Sequence, residues 1–82
     1  MARGRKLKAT FSDGEVAHLT TEKGFTHTWR VTGLNRARFS EINGWARSAA
    51  LAKQASTAHA RSVAKHWKNV TAEVVEVEML TG

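Results

Sequence analysis

The sequence predicts an α+β fold: an antiparallel meander of three to four strands packed on one long α-helix and followed by a C-terminal strand. Three observations carry this. Residues 6 to 32 alternate apolar and polar side chains, residues 49 to 68 are Ala-rich without Gly or Pro, and residues 71 to 80 return to alternation. A period of two marks half-buried strands, and a long stretch of good helix formers marks the helix.

The strands follow in order. In Lys6 to Phe11, Leu7, Ala9 and Phe11 share one face, with Lys6, Lys8 and Thr10 on the other. Ser12-Asp13-Gly14-Glu15 follows, and Asp-Gly between two strand-like runs is a strong hairpin signal. A two-residue turn pairs Phe11 with Val16 and Ala9 with His18. The second strand covers Glu15 to Thr21, and Glu22-Lys23-Gly24 turns the chain again. Phe25 to Thr32 is the clearest strand, with Phe25, His27, Trp29 and Val31 on one face and Thr26, Thr28, Arg30 and Thr32 on the other. Gly33-Leu34-Asn35 reads as a turn, and a fourth strand runs through Phe39 and Ile42 to about Gly44.

Ser48 is a good N-cap, because its hydroxyl can accept from a free amide of the first helical turn. From Ala49 to about Lys68, helical projection gathers Ala52, Ala55, Ser56, His59, Val63, Trp67 and Val70 on one side. Arg47, Gln54, Thr57, Arg61, Lys65 and Lys68 lie opposite. In the last strand, Val75, Val77 and Met79 alternate with Val74, Glu76 and Glu78. Residues 1 to 5 read as a basic flexible arm and residues 6 to 82 as a single domain.

Composition narrows the function classes. The chain has 82 residues, no Cys and a formal net charge of +6. A core this small is marginal and has no disulfide to staple it. All 13 Lys and Arg lie between Arg3 and Lys68, where only Asp13, Glu15, Glu22 and Glu41 oppose them. Such a field draws polyanions. No apolar run approaches a membrane span or a secretory signal, so the chain is expected to be soluble and cytoplasmic. There is no Cys nucleophile, no Ser-His-acid spacing and no Gly-rich phosphate loop, so the sequence predicts a binding role, no enzymatic activity and no cofactor.

The expected nucleic-acid surface is the sheet face that carries Lys6, Lys8, Thr28 and Arg30. Lys and Arg contact phosphate, and Arg and Thr can read bases. Arg3 and Arg5 on the arm would reach phosphates or an adjacent minor groove. Arg61, Lys65 and Lys68 form the stripe of an ordinary amphipathic helix and can add phosphate contacts. The four histidines, His18, His27, His59 and His66, fall on predicted core faces, but their spacing matches no metal motif. They read as two partly buried pairs, each hydrogen-bonded to Thr or backbone; if buried, they would make the fold acid-sensitive. Trp45 is expected under the helix start. A second reading is a protein-interaction module that binds a host protein or forms a homodimer by edge pairing of Val74, Val75, Val77 and Met79.

Two resemblances add to this. The order strand, strand, strand, helix, with Lys8, Thr28 and Arg30 on the sheet, resembles the AP2 and phage-integrase arm-binding DNA-binding domains. That resemblance implies Lys6, Lys8, Thr28 and Arg30 as readers of duplex DNA. The run ATFSDGEVA, then THTWRV and the Ala-rich helix, resembles small uncharacterised proteins of actinobacterial bacteriophages. It implies a viral accessory protein in a bacterial host cytoplasm.

Overall fold

A computed structural model describes residues Gly4 to Leu80 of the chain. It contains six strands and one helix: β1 (Arg5–Thr10), β2 (Val16–Thr21), β3 (His27–Asn35), β4 (Arg38–Ala46), α1 (Ala49–Val63), β5 (Lys68–Glu76) and β6 (Glu78–Leu80). The α+β class and the C-terminal strand are as the sequence predicts.

The single meander is not what forms. The strands make two antiparallel three-stranded sheets, ordered β2-β1-β6 and β4-β3-β5. The reason lies in β3, whose two edges are both taken: β4 pairs along one from His27↔Ala46 to Asn35↔Arg38, and β5 along the other from His27↔Glu76 to Leu34↔Lys68. No edge remains for β2. The C-terminal segment breaks at Val77, whose amide bonds the Thr26 carbonyl at 2.8 Å, and so supplies β5 to one sheet and β6 to the other.

The first turn lies where Asp-Gly predicts, but the register differs. The Phe11 amide donates to the Glu15 carbonyl and the Gly14 amide to the Phe11 carbonyl, both at 2.9 Å. Asp13 accepts the Glu15 amide at 3.0 Å, and Gly14 takes φ 90°. The longer loop pairs Thr10 with Val16 and Lys8 with His18. A slip of one residue exchanges the faces of a strand. His18 therefore stands exposed across from Lys8, while Ala17 and Leu19 lie opposite the buried Ala9 and Leu7.

The second hairpin turns two residues later than expected. β3 continues through Gly33 and Leu34, and the two-residue turn is Arg36-Ala37, with φ 53° and 66°. Positive φ at both positions is the I′ pattern that matches strand twist and usually calls for Gly or Asn. An L-residue there is held in a costly conformation. Ala37→Gly should therefore raise stability by about 1 kcal/mol, which the urea midpoint would register; an unchanged or lower midpoint would argue against strain at this turn. Gly33 serves packing instead, because a Cβ there would come within 3.1 Å of the Trp67 ring. Gly44 likewise lies under Trp29, where a Cβ would come within 2.7 Å of the indole.

The helix starts as predicted. Ser48 is extended, and its hydroxyl accepts the Leu51 amide at 3.1 Å. It ends at Val63, sooner than expected, because the amides of His66 and Trp67 both turn back to the Val63 carbonyl, at 2.8 and 2.7 Å. Helix α1 packs on β5, β3 and β4. Trp29, Val31, Ala46 and Ala52 are the buried centre, with Ile42, Ala55, Ala60, Val63, Trp67, Val70 and Val74 around them. Trp67 thus closes the far end of this core. Leu7, Ala9 and Phe11 are buried too, but on β1 and its turn, in the other sheet.

Candidate polyanion-binding surface

β3 is buried on both faces. Trp29 and Val31 lie under the helix, and the Trp29 ring stacks on His59 with centroids 4.9 Å apart. On the opposite face stand Thr28 and Arg30. The expectation that these two are exposed readers is corrected here: Arg30 is only 6% exposed and Thr28 only 1%. The first hairpin covers Arg30. The Arg30 guanidinium lies 4.3 Å from the centroid of the Phe11 ring. Its Nη1 donates to Asp13 Oδ2 at 3.0 Å and stands 3.6 Å from Glu15 Oε2, and its Nη2 donates to Glu73 Oε1 at 3.1 Å. Glu73 also accepts the Ser12 amide at 2.7 Å and the Ser12 hydroxyl at 3.1 Å. The Thr28 hydroxyl donates to the Gly44 carbonyl at 2.6 Å.

These contacts form a clasp. One cation on β3 holds the β1–β2 turn and β5 together, and its planar fork suits several carboxylates at once. The Glu15 amide, and then the Arg30 hydrogen bond, hold the Asp13 carboxyl below its ordinary range. Burial works against the Arg30 charge, but the hydrogen bonds and charges of Asp13 and Glu73 more than offset it, so its pKa lies above the ordinary value. A guanidinium used in this way is not free for phosphate or guanine.

The other expected residues divide into two regions. Arg3 lies outside the described residues. Arg5 and Lys6 are exposed on β1, and Lys8 is half-buried there. β6 sets Glu78 across from Lys8 and Leu80 across from Lys6, which dilutes the charge of that face. Arg61 is exposed on the helix.

Lys65 and Lys68 belong to a different grouping. They follow the last helical turn and meet the β3–β4 turn at one end of the molecule. One crevice there is lined by Asn35, Arg36, Lys65, His66 and Trp67. A neighbouring one is lined by Leu34, Arg36, Ala37, His66 and Lys68. No carboxylate of a described residue lines either. Arg36, Lys65 and Lys68 make no ion pair with a described residue, and exposed Arg38 begins β4 beside them. Residue-by-residue reading missed Arg36 and Arg38. The signal was the Arg-Ala-Arg run between two strand-like stretches.

The histidines do not converge. His18, His59 and His66 are exposed and His27 is half-buried. The Thr26 hydroxyl and His27 Nδ1 are hydrogen-bonded at 2.7 Å. Among the described residues, no three His, Cys, Asp or Glu side chains group as metal ligands. The expectation of two partly buried pairs is thus corrected for His18, His59 and His66, while His27 is half-buried and bonded to Thr26 as expected; the flipped face of β2 accounts for His18. Trp45 is half-buried, 6.5 Å from the Phe25 ring centroid, beside Leu51, Ala55 and Ala58 of the helix.

Of the expected partner interface, Val74 packs against the helix core, and Val75 and Val77 are half-buried. Met79 remains 56% exposed on β6, an edge strand already paired with β1. No described helix is long and apolar enough to cross a membrane. In comparisons with known proteins, no family model, no curated protein and no solved structure matches this chain.

Proposed function

We propose that this chain is a small non-enzymatic module that binds nucleic acid, duplex DNA foremost, through its Arg36, Arg38, Lys65 and Lys68 end. The observation that carries the reading is that Arg36, Lys65 and Lys68 line adjoining crevices with no carboxylate among the described residues that line them. Cations without acidic partners are free to neutralise phosphates and release counterions. Arg5, Lys6 and Lys8 on β1 are secondary contacts in this reading. The resemblance to phage proteins supports a viral accessory role in a bacterial cytoplasm. Gel retardation of a duplex at low and at physiological salt tests the proposal. Retardation that weakens steeply with salt is expected, and indifference to the duplex at low salt would remove the reading.

A second reading has one observation in its favour. β6 is an edge strand with Met79 and Leu80 exposed, which suits strand addition by a host protein or a second copy. Sedimentation that gives one chain mass at high concentration would exclude the homodimer form of it.

A further inference from the structure

The β3–β4 hairpin tip carries a feature that phosphate binding leaves unused. Phe39 is 63% exposed, more than any other large apolar side chain among the described residues. A lone exposed apolar residue is ordinary on a protein surface. This one follows Arg38 directly and lies three residues from Arg36. Its cross-strand partner is Leu34, whose partner on β5 is Lys68. Phe39, Leu34 and Lys68 therefore form a row across the sheet, on the face away from the helix. An exposed aromatic ring just beyond a tight turn, flanked by cations that make no ion pair with a described residue, has the composition of an intercalating wedge.

The geometry points to Phe39 as a wedge that enters duplex DNA from the minor groove and partly unstacks one base step. The inference rests on the DNA-binding reading above and deepens it. Arg36, Arg38 and Lys68 hold the tip against the phosphates, and the ring takes the place of a stacked base neighbour. Two features of the tip suit this. The I′ turn holds Arg36 and Ala37 in positive φ, so the arginine is presented from a fixed backbone. Glu41, two residues along the same face of β4 and half-buried, ends the cationic stretch and confines insertion to the tip. Wedges of this kind kink the duplex by about 20–90° toward the major groove.

The test uses the full chain and a short duplex labelled at both ends for energy transfer. The duplex carries 2-aminopurine at a central TA step, which unstacks readily. Retardation at low salt is measured on the same samples. The wild-type complex is expected to raise both the 2-aminopurine fluorescence and the end-to-end transfer. Phe39→Ala, a change at an exposed site, should still retard the duplex while losing both signals. A wild-type complex that forms but leaves both signals at their free-duplex values would overturn the wedge and leave phosphate binding standing. So would a Phe39→Ala complex that gives the wild-type signals. Absence of any complex at low salt would overturn both readings.

Discussion

Arg30→Ala is expected to lower the unfolding free energy by about 3 kcal/mol, the lower end of the cost of breaking a buried ion pair. The substitution removes the one cation among the described residues that pairs with Asp13, Glu15 and Glu73. Glu73, 22% exposed, is left with a carboxylate that, among the described residues, only Ser12 still satisfies. Asp13 and Glu15, each 54% exposed, rehydrate more easily, which keeps the cost from rising further. Phe11 also loses the guanidinium against its ring. Arg30→Lys should recover part of the loss, since an ammonium keeps the charge but cannot fork across the same carboxylates. Urea unfolding of both variants reads this directly. A midpoint for Arg30→Ala within about 0.5 kcal/mol of wild type, the range of ordinary surface changes, would mean that the clasp does not hold the sheets together.

The same clasp sets an acid limit. Asp13 has a folded pKa below its ordinary value, so its contribution is complete above the ordinary carboxylate range. It is lost as the pH falls through the depressed folded value. Melting temperature should therefore hold through mildly acid solution and fall below about pH 4, with a shallower fall in Arg30→Ala. A loss confined to pH 5–7 would contradict this account.

These two results bear on how much of the molecule was legible in its sequence. The alternation of residues 27 to 32 was legible, and it correctly set Trp29 and Val31 under the helix. Its other face was not. Thr28 and Arg30 alternate as solvent-facing residues do, and a buried, fully paired arginine has the same sequence signature as an exposed one. Only the three-dimensional meeting of Asp13, Glu15 and Glu73, up to 60 positions apart in the chain, distinguishes them. The Asp-Gly signal located the first turn but not its length, and one extra residue moved His18 to the outer face. Ser48 identified the helix start. The helix end was overshot because neither Gly nor Pro follows Val63. Lys65 and Lys68 were legible as charges, whereas their meeting with Arg36 depended on that early helix end and on a turn formed by two non-glycine residues.

Arg36→Gln/Lys65→Gln/Lys68→Gln is expected to have the largest effect on DNA binding. Each phosphate contact contributes roughly 0.9 to the slope of log affinity against log salt. Removing three contacts should flatten that slope by nearly 3 and abolish retardation at physiological salt. None of the three side chains is in the buried core or in an ion pair with a described residue, so the melting temperature should stay near that of wild type. Lys6→Gln/Lys8→Gln should flatten the slope less, because Glu78 stands across from Lys8. If the Lys6/Lys8 variant lost more affinity than the triple variant, the binding surface would lie on the β1 sheet instead.

The most direct measurement is a titration of the isotopically labelled protein with duplex DNA, followed by amide chemical shifts. Perturbations should concentrate at residues 34 to 39 and 65 to 68, where the hairpin tip meets the end of the helix, and leave the Thr28 and Arg30 amides close to their free positions. Perturbations centred on β1 and β2, or spread evenly over the chain, would contradict this assignment.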